Sequence, residues 1–313
     1  MIKITRYEPK QFNLWNDLNE HSKNGIFLFN RKYMEYHSDK FNDHSLMFYD
    51  NSKLVAIMPA NSQDGNLISH DGLTFGGLLY NHKMRLSTML ELFKELINYS
   101  QDRGFKKIYY KSIPHIYHSY PAEEDLYALK ISNFKLTRRD VSSAIHLNQK
   151  IPFSKGRRKN IQKSLDNGIK VKQSDLFKDF MEIVEKNTQN KYQTDPTHTG
   201  KEMELLASNF PENIKLFVAE RKGEILSGVI VYESQNVAHA QYQSSTDKGL
   251  QNRGADLIFD FLINSYYKDK KYFDFGISTE NDGNFLNAGL IDFKERFGAR
   301  AVVHDFYELN LNK

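Results

Sequence analysis

In the stretch VAHAQYQS, Val237 to Ser244, His239, Gln241 and Gln243 stand at alternate positions. In an extended strand alternate side chains share a face, which would make that face polar. The stretch YFDFGIS, Tyr272 to Ser278, repeats the arrangement with Asp274, Gly276 and Ser278 opposite Phe273, Phe275 and Ile277. A helical segment carrying Leu257, Ile258, Phe261 and Leu262 joins the two strands as a crossover, so they should run parallel. Parallel strands are normally covered by apolar packing on both faces, and polar faces there point to a cleft. A carboxylate and an imidazole in a cleft suit general acid–base work, which makes Asp274, His239 and Gln241 the candidate catalytic residues.

Between these strands lies TDKGLQNRGA, in which Gln251, Asn252, Arg253, Gly254 and Ala255 precede the helix. The first N–H groups of a helix have no intrahelical partner and sit at the positive end of its dipole, so this loop is a candidate pyrophosphate site. Arg253 adds a cation. Open sheets also bind ligands at the carboxyl ends of their strands, where this loop falls.

Composition limits the remaining classes. The chain has 313 residues, 40% of them apolar, and no cysteine. Two domains are expected at that length, 1–150 and 151–313. Disulfides, thiolate catalysis and cysteine-held zinc are excluded, and the eleven histidines show no metal-binding spacing, so no metal is expected. No run approaches the roughly 18 apolar residues of a membrane span, and MIKITRYEP lacks the features of a signal peptide. A cytoplasmic protein without membrane insertion is the expectation. The formal charge of +4 is small but unevenly spread, with Lys155, Arg157, Arg158, Lys159, Lys163, Lys170 and Lys172 set against Asp166 alone. That basic stretch could meet phosphate groups.

Periodicity supplies the elements that must position these groups. The first half reads as a strand (IKIT), two helical stretches, a hairpin turning at Asn51–Ser52–Lys53, the Gly-rich passage HDGLTFGGLLY, a helix through Met89, Leu92, Phe93, Leu96 and Ile97, the strand KKIYYKSI, a short helix at Glu123 to Leu129, and a strand pair around FKLTRR and SSAIHLN. The second half repeats the order: a basic helix, a helix from Phe177 to Asn187, the strands KLFVAER, EILSGVIVYE and VAHAQYQS, the loop and its helix, KYFDFGIS, a helix near Ile291 to Phe297, and the strands RAVVHD and DFYELN. A period of half the chain indicates domain duplication.

The ordered set GRRKNIQKSLDNGIKV, AERKGEILSGVIVYE, AQYQSSTDKGLQNRGADLIFDFLI and YFDFGISTENDGNFLNAGLIDFKERFGAR, with HDGLTFGGLL and PHIYHSYPAEEDLYAL earlier, resembles the double-GNAT proteins related to the Fem aminoacyltransferases. That group includes the FdhC type of sugar N-acyltransferase, which serves bacterial surface polysaccharides. The resemblance implies an α+β fold of two tandem GNAT-like domains, each a mixed, mainly antiparallel twisted sheet flanked by helices. It also implies an acyl-CoA or aminoacyl-tRNA donor and an amine acceptor, such as a nucleotide-linked amino sugar taking a 3-hydroxybutanoyl group. The expected chemistry is direct attack of the amine on a thioester, with a backbone N–H near His239 to Gln243 stabilising the oxyanion. Gln243, Ser245 and Asn287 join the loop residues as expected donor contacts. His70, Asp71, Phe75, Tyr117 and His118 of the first domain, with Arg157, Arg158, Tyr242 and Ser278, are the expected acceptor contacts; Asn284, with Ser278 and Asn287 just past the strand end, could hold the pantetheine amides or the sugar, while Lys294, Arg296 and Tyr307 are secondary.

One position departs from the pattern. The ordinary GNAT loop has a small residue where this chain has Asp256. No long charged helical arm of the tRNA-dependent Fem enzymes is present, which favours CoA. The alternatives are a Fem-like aminoacyl-tRNA transferase acting on a peptidoglycan precursor, and a non-catalytic GNAT binding module.

Overall fold

A computed structural model describes residues 2–311. The chain divides into two compact units that are not the contiguous halves expected from length. The first comprises 1–140, 279–285 and 303–313, and the second 141–278 and 286–302.

In chain order the elements up to the first boundary are β1 (Ile2–Arg6), α1 (Phe12–Glu20), α2 (Arg31–Met34), β2 (Leu46–Asp50), β3 (Lys53–Met58), β4 (Asn61–Gln63), β5 (Asn66–Ile68), β6 (Leu79–Tyr80), α3 (Leu86–Asp102), β7 (Lys107–Lys111), α4 (Glu124–Ile131) and β8 (Lys135–His146). Next come α5 (Lys155–Asp166), β9 (Lys170–Ser174), α6 (Phe177–Tyr192), α7 (Gly200–Asn209), β10 (Ile214–Arg221), β11 (Glu224–Glu233), β12 (Val237–Ser245), α8 (Asp247–Asn252), α9 (Gly254–Phe261), β13 (Tyr272–Ile277), β14 (Thr279–Glu280), β15 (Phe285–Leu286), α10 (Ala288–Glu295) and β16 (Arg300–Asn310). The sequence reading of two strands at 134–148 and two at 300–310 gives way to one long strand in each place. Neither segment contains a glycine or proline between its apolar runs, so nothing breaks it.

In the first unit β1, β2, β3 and β6 form an antiparallel sheet. The β2–β3 hairpin turns on Asn51 and Ser52, both at positive φ (45° and 68°), the geometry that suits the twist of the flanking strands. Strands β4, β5, β7 and the 303–310 part of β16 continue the unit, with β5 parallel to β7 and β16 antiparallel to it. Helix α3 carries Met89, Leu92, Phe93 and Leu96 at helical spacing, and these fully buried side chains pack with Phe48, Ala56, Ile108 and Tyr110. Each such side chain is worth about 1.5–3 kcal/mol on burial.

The second unit orders its strands β8, β13, β12, β11, β10 and β9, with β12–β13 the parallel pair and the others antiparallel. Its core lies between this sheet and α9, where Leu257, Ile258 and Phe259 meet Val229, Val231, Ala238, Phe273 and Phe275. The ring of Phe259 lies 4.9 Å from that of Phe275 and 5.5 Å from that of Phe297. Among the described residues no helix is long and apolar enough to cross a membrane.

Candidate active site

Strands β12 and β13 pair only at Val237–Tyr272, Ala238–Phe273 and His239–Asp274, the last register partners before the two strands part. At that pair His239 Nδ1 lies 2.9 Å from Asp274 Oδ2. Asp274 is fully buried, and its other oxygen accepts from Ser142 Oγ of β8 at 2.5 Å and from the Gly276 N–H at 3.1 Å. A buried carboxylate with both oxygens engaged is an orienting group rather than a base that reaches a substrate. With Nδ1–H donated to Asp274, the lone pair of His239 falls on Nε2. The structure brings the two candidate bases, Asp274 and His239, together at this pair.

Gly276 keeps the space beside that nitrogen open. Its φ is +78°, and a Cβ there would come within 3.3 Å of His239 Cε1 and 4.0 Å of Nε2. The strand end is pinned by Lys294 of α10, whose Nζ donates to Gly276 O (2.7 Å), Ile277 O (2.7 Å) and Ser278 Oγ (2.8 Å). Burial pushes this lysine down to about 8, while the Asp274 carboxylate pulls in the opposite direction. Ser278 is thus buried and committed to Lys294, and Asn287 caps α10 by accepting from the Leu290 N–H. Both side chains have structural partners where ligand contacts were expected. Asn284 donates to the Asn281 carbonyl and Arg296 pairs with Asp292 on the surface.

The alternation read from VAHAQYQS fails at one residue. In the β11–β12 register Val231 faces Ala240 and Ile230 faces Tyr242, so Gln241 is the extra residue of a bulge. The bulge reverses the parity of the residues after it. His239, Tyr242 and Ser244 share the face of Tyr232, Ile230 and Gly228, whereas Gln243 and Ser245 fall on the face of Val229 and Ser227. A one-residue insertion is invisible to a period of two. Tyr242 hydroxyl lies 2.6 Å from His198 Nδ1, and burial raises it to about 12. Ser245 is buried against Ser227 at 2.8 Å, and Gln243 is exposed.

The loop after β12 is itself helical, a short α8 joined to α9 by Arg253 in the left-handed conformation (φ 61°). Its glycine packs tightly on the sheet: a Cβ on Gly254 would lie 2.6 Å from Ser227 Oγ and 3.3 Å from Ala219 Cβ. Ser164 of α5 fixes the turn by donating to the Asn252 and Arg253 carbonyls at 2.6 and 2.9 Å. Arg253 supplies no side-chain cap to α9, and Asp256 accepts from Arg157 (2.8 Å) and Asn160 (3.0 Å) of α5. The unexpected carboxylate is thereby buried and paired. The Arg157 guanidinium also stacks on Phe293 and Phe297, 4.1 and 4.7 Å from their centroids. Arg158 donates to the Phe153 carbonyl, while Gln251 and Arg253 are exposed and Ala255 is half-buried.

Four of the first-unit residues expected to meet an acceptor are buried: His70, Phe75, Tyr117 and His118. Phe75 packs on Tyr117 (4.7 Å between centroids), and His118 Nε2 lies 3.0 Å from the Ile113 carbonyl. Desolvation lowers His70 to about 3 and His118 to about 4, so both are neutral near pH 7. Asp71 alone of the five is exposed, 3.4 Å from Lys111 Nζ. Sequence reasoning treats these as loop residues; the aromatic content of the loops is the sign that they fold inward.

No family model matches the sequence, and no curated protein matches it. Among solved structures, FemX superposes with a TM-score of 0.68 at 11% identity, covering 99% of this chain and 98% of that one. L-PGS from Bacillus licheniformis gives 0.62 at 12% identity, over 98% and 93%. A tandem GNAT protein from the clavulanic acid biosynthesis pathway gives 0.54 at 9% identity, over 100% and 99%. The chain has a tandem GNAT-like fold. At these identities the likeness carries the fold alone. Among the described residues no group of three or more His, Asp or Glu side chains is placed to hold a metal.

Proposed function

We propose that the protein is an N-acyltransferase in which His239, oriented by Asp274, takes the proton from an attacking amine. The observation that carries this reading is the His239–Asp274 contact at the last pair before β12 and β13 separate. In the reaction the amine nitrogen forms a bond to the acyl carbon, the carbon–sulfur bond of a thioester breaks, and the amine proton passes to His239 Nε2. Beyond His239 the β13-facing edge of β12 has no strand partner among the described residues, so backbone N–H groups around the Gln241 bulge are available to the oxyanion. Lys294 holds the carbonyls of Gly276 and Ile277 and balances the charge of Asp274.

Acyl-CoA is the proposed donor. The start of α9 fits its pyrophosphate, since the helix lacks a side-chain cap and the one carboxylate in its first turn is neutralised by Arg157. Gly254 and Ala255 at the start of α9 would hold the phosphates through backbone N–H groups, with the exposed side chains of Gln251 and Arg253 beside them. The proposed acceptor is a nucleotide-linked amino sugar of surface polysaccharide synthesis, as in the FdhC type. A thiol-release assay over a panel of acyl-CoAs, with and without dTDP- and UDP-linked amino sugars, tests the whole assignment. Sugar-dependent release supports it, and no release with natively folded protein refutes it.

A second reading, an aminoacyl-tRNA donor, is favoured by the exposed Lys155, Arg158, Lys159 and Lys163 of α5. It requires charged tRNA to bind with a steep dependence on salt.

A further inference from the structure

Helix α5 turns one stripe to solvent, in which Lys155, Arg158, Lys159, Gln162, Lys163 and Asp166 recur at helical spacing and are all exposed. Its other side is fixed to the second unit. Ile161 and Ser164 are buried, Arg157 and Asn160 donate to Asp256, and Ser164 donates to the Asn252 and Arg253 carbonyls. The inner face accounts for the place of this helix in the fold and leaves the outer stripe without a structural role.

That stripe works against the helix that carries it. Lys155 and Lys159, like Lys159 and Lys163, are like charges four residues apart, repelling where an acid would attract. The first turn holds no acidic residue, so its cations also oppose the positive end of the helix dipole. Among the described residues the side chains of Lys155, Lys159 and Lys163 meet no carboxylate, and Asp166 accepts from Gln162 instead. From Lys155 to Lys172 seven cations stand against Asp166 alone, a net +6 in a chain of net +4, so the rest of the chain is net negative. A face that only meets water gains nothing from a single sign held at a cost in helix stability; a face that meets a polyanion does.

The surroundings of the stripe distinguish two polyanions. Leu165, three residues after Gln162 and seven after Arg158, borders the stripe and is 50% exposed, and Ile151 just ahead of the helix is 41% exposed. The one aromatic residue between 150 and 172, Phe153, is buried. Unpaired nucleic acid is held by rings on which its bases stack, whereas aliphatic side chains beside lysines suit the boundary between lipid headgroups and acyl chains.

We infer that the outer stripe of α5 docks the protein on an anionic lipid bilayer, with Lys155, Arg158, Lys159 and Lys163 against the headgroup phosphates and Leu165 at the acyl boundary. Clusters of four or more lysines and arginines on one helix face are what such surfaces attract. The inference concerns where the protein sits and holds for either donor.

Co-sedimentation of the full chain with vesicles tests it, using phosphatidylcholine alone and phosphatidylcholine with about 30% phosphatidylglycerol, beside a gel-shift titration with mixed tRNA. The protein should bind the anionic vesicles at low salt, stay in solution with the neutral ones, and be released at about 0.5 M salt. Lys159→Gln with Lys163→Gln should weaken vesicle binding about tenfold or more, whereas Lys83→Gln with Lys130→Gln, two exposed lysines of the first unit, should leave it within about twofold. Because the first pair relieves like-charge repulsion, it should melt no lower than the wild type, which separates lost binding from lost folding. Equal binding to both vesicles, binding to neither, or an equal loss from the two pairs would overturn the assignment. Binding of tRNA through Lys159 and Lys163 without binding to anionic vesicles would overturn it in favour of the aminoacyl-tRNA donor.

Discussion

His239 and Asp274 are register partners at the end of the β12–β13 ladder, joined by a 2.9 Å contact from Nδ1 to Oδ2. The contact fixes the imidazole at the point where the strands separate, and Ser142 and the Gly276 N–H fix the carboxylate in turn. Asp274→Asn should therefore lower the transfer rate by about 100-fold or more through loss of the tautomer that bares Nε2, with little change in donor binding. Ser142→Ala removes one of several partners and should cost only about three- to tenfold. A titration of the imidazole resonances by NMR in each variant checks that the effect runs through His239.

Packing at the start of α9 leaves no room for a side chain on Gly254. Gly254→Ala should destabilise the protein by about 1–3 kcal/mol through the clash with Ser227 Oγ. Adding Ser227→Gly should recover part of that loss, and urea unfolding of the single and double variants measures it.

Arg157 and Asp256 form a pair nearly removed from solvent. Removing one partner leaves the other charge buried, and Arg157→Met or Asp256→Leu should cost about 3–5 kcal/mol in thermal or urea unfolding. The double substitution should be less damaging than the sum of the two. Additive losses would show that the pair does not act as a unit.

Acid should weaken the first unit. His70 and His118 are lowered by burial to about 3 and about 4, below their ordinary value of 6.5. Between those values the unfolded chain binds more protons than the folded one, so the stabilisation present above pH 6.5 is lost as pH falls toward 4. Unfolding midpoints measured from pH 7.5 to 4.5 should decline, and His118→Gln should flatten the decline. A midpoint independent of pH across that window would refute the burial argument.

Much of the architecture is legible in the sequence because apolar periodicity is set by packing. The α3 stripe of Met89, Leu92, Phe93 and Leu96, the Asn51–Ser52 turn and the alternation of Phe273 and Phe275 about Asp274 all match the sequence reading. What escapes it depends on contacts distant in sequence. The bulge at Gln241 leaves no compositional mark, Ser142 lies 132 residues from the carboxylate it serves, and Asp256 looks unsuitable until Arg157 is seen beside it. Lys294 reads as one charge among many in IDFKER, and only its three acceptors distinguish it.

His239 is proposed above as the base of an amine acylation. Its most direct test is the rate of acyl transfer from acyl-CoA to a nucleotide-linked amino sugar by the wild type and by His239→Gln, with acyl-CoA affinity measured on both. The rate should fall about 100-fold or more while the affinity stays within about threefold. A variant that transfers within about threefold of the wild-type rate would contradict it.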